Sequence, residues 1–214
     1  MTHINKGKPF PLGSSLTSQG VNFSLIATSA EYVEILLFEK EDSIFPKTIL
    51  KLDQSHNTGP YWHVEIKNLN VGCIYAFRIK QKNNEINNNY EKKVLLDPCA
   101  RGITGWGSYE RKNALKTQEN TNSCLKSVVC DRKLFNFKDY PRPKHSWEET
   151  IIYELHIKSF TESTDKNESC CKKFLKKIPY LKELGITTIE LLPIFCFDPT
   201  DAPNGLENFW GYSP

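Results

Sequence analysis

At residue 147 the hydrophobic pattern changes period, and that change constrains everything the chain can fold into. Before it, short segments alternate apolar and polar side chains, as strands with one buried face do. In VNFSLIAT (residues 21–28) Val21, Phe23 and Leu25 share a face, and in YVEILLFE Val33, Ile35 and Leu37 share another. YWHVEIK sets Trp62, Val64 and Ile66 against Tyr61, His63, Glu65 and Lys67, and IYAFRIK aligns Tyr75, Phe77 and Ile79. SQG at 18–20, HNTGP at 56–60 and NVG at 70–72 supply the turns. No useful stretch of 3.6-residue period interrupts them, so residues 1–103 are expected to form an all-β, immunoglobulin-like antiparallel sandwich.

Periodicity weakens over residues 104–146, which read as linker and packing loops, with SVVCD at 127–131 a short strand candidate. KNNEINNNYEKK at 82–93 is an Asn-rich excursion with too little apolar surface to order itself. PRPKHSW marks a domain boundary. After Trp147, TIIYELHIKSF (150–160) is apolar on both faces apart from Glu154 and His156, as a strand of a buried parallel sheet reads. CCKKFLKKIPYLKELG then repeats apolar residues at Phe174, Ile178, Leu181 and Leu184 and stops at Gly185, a helix whose Pro179 is expected to split it into two short pieces. TTIELLPIF (187–195) is a second buried strand, which completes β-α-β.

Composition excludes several classes. With 39% hydrophobic and 25% charged residues the chain is neither disordered nor collagen-like. Lys+Arg 28 against Asp+Glu 25 leaves +3, and the lysines run from Lys6 to Lys182 without a dense cluster, so no nucleic-acid partner is indicated. No apolar run is long enough to span a bilayer and no signal peptide is visible near Met1, so no membrane partner is expected. The 7 cysteines form no CxxC pair, which leaves neither a zinc framework nor any other metal or cofactor site and favours idle thiols in a reducing cytoplasm.

Alternation puts Ile152, Glu154 and His156 on one face of the first late strand and Thr188, Glu190 and Leu192 on one face of the second. Two carboxylates so placed have the residue types for acid and base work on a glycosidic bond. Both fall mid-strand, however, whereas barrel enzymes put chemistry at strand ends and loops, so a satisfied polar core network is the favoured reading over catalysis. The loop after the second strand mixes Phe195, Phe197, Phe209, Trp210 and Tyr212 with Asp198, Asp201, Asn204 and Asn208. Rings beside amides and carboxylates suit a sugar, and equally a hydrophobic plug.

WEETIIYELHIKSFT, KIPYLKELGITTIELLPIFCFDPTDAP and ENFWGYSP, in that order, resemble the opening of the catalytic barrel in isoamylase-type glycogen debranching enzymes of the α-amylase family. KPFPLGSSLTSQGVNFSLIATSAEYVEILLFE, GPYWHVEIKNLNVGCIYAFRI and KVLLDPCARGITG resemble that family's N-terminal carbohydrate-binding-type sandwich. The resemblance implies an α-glucan partner such as glycogen and hydrolysis of α-1,6 branch links. It also implies a ring-stacking role for Tyr212 at the cleavage subsite, with Trp210 beside it lining the cleft. Glu154, His156 and Glu190 would be barrel-interior structure. The family's aspartate nucleophile, glutamate acid/base and second aspartate belong to later barrel strands, so no residue here inherits a catalytic role. NESCCKKFL departs from the pattern, with Ser169 and Cys170 where the resemblance calls for Gly-Thr.

A (β/α)₈ TIM barrel takes about 250 residues, so residues 147–214 are expected to be the first β/α elements of an incomplete one. The chain is then the N-terminal part of a debranching enzyme, inactive alone unless a companion chain carries the rest of the barrel. The alternatives are a non-catalytic α-glucan-binding module using an aromatic such as Trp62 or Trp106, and a degenerate fragment.

Overall fold

The computed structural model describes residues 3–82, 91–133, 136, 140–161 and 168–212, so most of the Asn-rich excursion at 82–93 lies outside the described residues. The chain forms two compact units, Met1–Phe135 and Asn136–Pro214. The first unit contains β1 (Ile4–Asn5), β2 (Gly13–Leu16), β3 (Gly20–Ile26), β4 (Ala30–Phe38), β5 (Thr48–Leu52), β6 (Asn57–Thr58), β7 (Tyr61–Lys67), β8 (Ile74–Gln81), β9 (Gly102–Thr104), the short helix α1 (Arg111–Ala114) and β10 (Lys126–Val128). One sheet runs β1-β7-β3-β2 with β6 added on β7, and the other runs β5-β4-β8-β10-β9. Every pairing in both is antiparallel.

The period-2 pattern sets which side chains meet between the sheets. Val21, Phe23, Trp62, Val64 and Ile66 from the first sheet and Val33, Ile35, Leu52, Tyr75 and Phe77 from the second are each at most 2% exposed and form one cluster. Tyr75 stands edge-on to Phe23 at 4.8 Å and to Phe77 at 5.8 Å, an arrangement that adds quadrupole attraction to area burial. Trp62 buries its ring and donates its indole N–H to the Ala27 carbonyl at 3.0 Å, so its polar edge carries no desolvation penalty. His63 is also buried. Its Nδ1 lies 2.8 Å from the Lys6 carbonyl, so Nδ1 donates and Nε2 accepts from the Thr58 hydroxyl at 2.9 Å.

The second sheet is covered on its outer side as well. Leu36, Phe38 and Ala76 point away from the inter-sheet core, yet they are buried together with Val94 and Cys124. Their cover is drawn from the segment after residue 91, and Cys124 lies in the part of it, residues 104–146, that the sequence pattern predicts as linker. Leu95 exchanges both backbone hydrogen bonds with Phe77, and residues 126–128 pair with β8 and β9. The sandwich unit therefore runs past residue 103. Linker chemistry misled here because these residues bury one face against a sheet while looping, which leaves no fixed period.

Two buried polar groups fasten the cover. Asp97 accepts the Tyr75 hydroxyl at 2.6 Å and the Cys99 N–H at 2.8 Å, while its own N–H donates to the Ser127 hydroxyl at 3.0 Å. Lys126, 1% exposed, donates its ammonium to the carbonyls of Glu41 at 2.9 Å and Thr121 at 3.4 Å and lies over the Phe38 ring. Carbonyl dipoles and a ring face together replace the water that the ammonium loses.

The second unit is smaller. β11 (Ile152–Leu155) and β12 (Thr188–Leu191) pair in parallel, in register from Ile152↔Thr188 to Leu155↔Leu191, joined through α2 (Ile157–Phe160) and α3 (Cys170–Glu183). Both strands are shorter than their apolar runs. At His156 the backbone turns into α2, and the Phe160 N–H donates to the His156 carbonyl at 2.9 Å. Ser169 caps α3 by accepting the Lys172 N–H, so the residue that departs from the family pattern supplies its own helix start. Pro179 does not split the helix. Its fixed φ suits a helix, and the lost hydrogen bond to Leu175 falls where both residues are exposed. At the other end the Gly185 N–H reaches the Lys182 carbonyl and the Ile186 N–H the Leu181 carbonyl, both at 3.0 Å, a Schellman closure.

Burial pushes the Asp97 carboxyl above the ordinary carboxylate range, against the lowering effect of its two donors, and burial beside Asp97 raises the Tyr75 hydroxyl. With the folded value above the unfolded one, Asp97 holds its proton more tightly in the native state. Its contribution to stability is complete below about pH 4 and is lost as the pH rises through the folded value. Tyr75→Phe removes a donor that the ionised carboxylate needs. It should destabilise the first unit by about 1–3 kcal/mol at pH 7 and by less at pH 4, because the raised carboxyl takes up its proton as the pH falls. Urea denaturation followed by tryptophan fluorescence at the two pH values measures this, and an equal loss at both would contradict it.

Candidate functional site

The loop after β12 builds its own scaffold. The Leu192 N–H donates to the Leu155 carbonyl at 3.0 Å, which prolongs the parallel pairing by one bond before Pro193 ends it. Asp198 then accepts the Thr200 N–H at 2.8 Å and the Thr200 hydroxyl at 2.6 Å, an Asx-type turn. The Asn208 N–H returns to the Pro199 carbonyl at 2.9 Å and closes the excursion. The Asn208 side chain bridges the next turn, donating to the Tyr212 carbonyl at 2.7 Å and accepting the Gly211 N–H at 3.2 Å. Gly211 has φ +76° and is buried, and a Cβ there would meet the Phe197 ring at 3.0 Å. Glycine is therefore the residue that lets Trp210 and Tyr212 flank so tight a turn.

The rings that this turn presents meet the end of β11. His156 lies 4.7 Å from Phe209 and 5.6 Å from Trp210, and Phe209 and Trp210 stand edge-to-face at 5.9 Å. Lys158 places its ammonium 5.0 Å from the centre of the Phe209 ring, and His156 Nδ1 lies 3.0 Å from the Ser159 hydroxyl. Trp210 and Tyr212 remain 53% and 56% exposed, so both offer ring area to a ligand. A rigid aromatic surface with an imidazole and an amide at its border can stack a pyranose face and hydrogen-bond its hydroxyls.

Of the residues singled out in the sequence, His156 and Trp210 come together, and Tyr212 follows across the Gly211 turn. Glu154 and Glu190 sit opposite each other in the parallel register, both exposed. Among the described residues neither carboxylate has a hydrogen-bond or ion-pair partner, so the polar core network expected of them is not formed. Both are interior to their four-residue strands, one residue from the C-terminal end. Trp62 is enclosed, whereas Trp106 is 37% exposed. The contacts of His156 with Phe209 and Trp210 were not readable from alternation, because the partners lie on a strand end and a distant loop. Asn208 two residues before Trp210 was the available signal, as an Asx residue ahead of a glycine turn.

Comparison with known proteins bears on the first unit most directly. Residues 11–100 match the family model of carbohydrate-binding module 48, the isoamylase N-terminal domain. The chain is 30% identical to the glycogen debranching enzyme of Pectobacterium carotovorum over 232 aligned residues, which cover 100% of this chain and 34% of that enzyme. It is also 30% identical to the glycogen operon protein GlgX homolog of Haemophilus influenzae, covering 98% of this chain and 33% of that protein. Among solved structures, the catalytic module of the pneumococcal glycogen-degrading virulence factor SpuA superposes with a TM-score of 0.67 at 22% identity, over 90% of this chain and 28% of that one. The Group B Streptococcus pullulanase SAP gives 0.67 at 24% identity, over 87% and 24%. At those identities the superpositions speak for the fold. The chain thus spans about a third of the length of the curated relatives it matches.

Removing the Asn208 side chain should release the turn while leaving the strands intact. Asn208→Ala takes away both bonds that hold residues 208–212, so amide exchange at Gly211 should accelerate about tenfold or more while β11 and β12 are unchanged. Unchanged protection at Gly211, read by NMR, would mean that packing on Phe197 holds the turn without Asn208. Residues 11–100 thus match carbohydrate-binding module 48, the isoamylase N-terminal domain, and the whole chain is similar to about a third of the length of the glycogen debranching enzymes it aligns with.

Proposed function

We propose that the chain is the N-terminal part of an isoamylase-type glycoside hydrolase that cleaves α-1,6 branch links of glycogen or a similar α-glucan. The first unit is the carbohydrate-binding-type module, and the second contributes the first β/α elements of the catalytic (β/α)₈ barrel. Trp210 and Tyr212 are the substrate contacts in this reading, with Tyr212 stacking on the sugar at the cleavage subsite. The observation that carries it is the parallel β11-α3-β12 unit followed by a loop that ends in an exposed aromatic turn, because barrel enzymes build their clefts from the loops after such strands. A cytoplasmic location goes with it, supported by seven cysteines that are all unpaired.

The chemistry assigned to this family is a retaining double displacement, in which one carboxylate attacks the anomeric carbon while another protonates the leaving oxygen. The acid pair that the resemblance assigns to later strands is not among these 214 residues. What these residues supply is binding. The rings of Trp210 and Tyr212 orient a glucose unit, and the Asn208–Gly211 turn keeps them in place.

The isolated chain should release no reducing ends from glycogen above a heat-killed control. Substituted for the corresponding part of the Pectobacterium carotovorum enzyme, it should support debranching. In that chimera Tyr212→Ala should lower kcat/KM about tenfold, the worth of one stacked aromatic contact. Activity from the isolated chain, or a soluble chimera with native-like fluorescence and no turnover, would overturn the reading.

A further inference from the structure

The sandwich unit holds one tryptophan in place without burying it. Of its two indoles, Trp62 is enclosed and has donated its N–H, while Trp106 is 37% exposed on the turn that leaves β9. We propose that Trp106 is an α-glucan contact on the first unit, additional to Trp210 and Tyr212. The inference rests on the reading of the protein as one that acts on α-glucans, and it adds a residue outside the 11–100 span of the matched module.

The turn is anchored on both sides. Thr104 pairs with Lys126, whose buried ammonium fastens the outer cover, and the Glu110 N–H donates to the Ser123 carbonyl at 3.1 Å. Between them the Ser108 N–H closes on the Gly105 carbonyl at 3.2 Å. Gly105 has φ +97°, and a Cβ there would approach the Cys124 carbonyl to 3.1 Å, so the backbone before Trp106 lies close against the segment that leads into β10. The ring itself is braced by Tyr109, edge-to-face at 5.6 Å. A ring fixed this way loses little freedom on binding, which is what makes an aromatic contact strong.

The surroundings favour a sugar over a protein partner. The neighbours on both sides of Trp106 are glycines, and a Cβ on Gly107 would meet nothing within 4 Å, so no adjacent side chain screens the indole. Beyond them the turn carries Thr104, Ser108, Glu110 and Lys112, all polar. One exposed indole, with the Tyr109 ring beside it, is thus set in a turn whose other residues are of hydroxyl, carboxylate and ammonium type. A pyranose offers the matching pattern, an apolar C–H face edged by hydroxyls, whereas a protein interface calls for a contiguous apolar patch.

Affinity electrophoresis of the whole chain in native gels containing glycogen tests this. The unsubstituted protein should be retarded, and Trp106→Ala should weaken binding about fivefold at an unchanged unfolding midpoint, with Trp106→Phe recovering part of the loss. Trp147→Ala, at another exposed indole with no assigned contact, should leave the retardation unchanged. Retardation of Trp106→Ala equal to that of the unsubstituted chain, or no retardation of the unsubstituted chain at all, would overturn the inference. A lowered midpoint for Trp106→Ala with Trp106→Phe behaving as unsubstituted would also count against it, since the indole would then serve packing alone. The debranching reading is judged separately by the chimera, which can turn over glycogen whether or not Trp106 binds it.

Discussion

The hydrogen bond from the Tyr75 hydroxyl to the buried Asp97 carboxylate joins the two layers of burial in the first unit. Tyr75 packs inward on Phe23 and Phe77, and Asp97 belongs to the segment, from residue 91 on, whose residues lie over the outer face of the same sheet. A carboxylate 2% exposed is tolerable only because Tyr75 and Cys99 supply donors to it. Once it is fixed, Ser127 is fixed through the Asp97 N–H, and β10 takes its place between β8 and β9. The Trp106 turn hangs from that strand pair, so the position of the proposed glucan contact follows from a buried polar tie.

The second unit shows the opposite economy. Leu155 from a strand and Leu181 from the helix are its buried large apolar residues among those described, while Ile151, Ile152 and Ile194 stay exposed. A two-stranded parallel sheet with Glu154 and Glu190 side by side has open edges and a like-charge pair on its uncovered face. Strands this apolar are read most simply as waiting for sheet neighbours, which is why the barrel reading is proposed for this unit. The aromatic turn beyond β12 is better ordered than its exposure suggests, because Asn208 and Gly211 satisfy its backbone locally.

Much of the first unit was legible. Val21, Phe23, Val33, Ile35, Trp62, Val64 and Ile66 all lie where period-2 alternation puts them, because one buried face per strand leaves a mark on every second residue. Leu36 and Phe38 were not, since their burial depends on a cover 56 to 88 residues away that has no period of its own. In the second unit both strands were recognised from their apolar runs, but His156 was read as strand. Apolar continuity cannot distinguish the end of a strand from the first turn of a helix. Pro179 was read as a break because its missing N–H is visible in sequence, whereas the exposed setting that makes the loss cheap is not. Trp210 and Tyr212 came from resemblance. Their exposure and their Asn208–Gly211 support came from the fold.

Native-state hydrogen exchange on the intact chain, resolved by peptide mass spectrometry, tests the central claim that residues 91–129 complete the sandwich. The account predicts that residues 94–97 and 126–129 exchange together with β3, β4, β7 and β8 in one slow cooperative opening, with β11 and β12 exchanging faster. Exchange of 94–97 and 126–129 at the rate of an unprotected loop, while the strands stay protected, would contradict it.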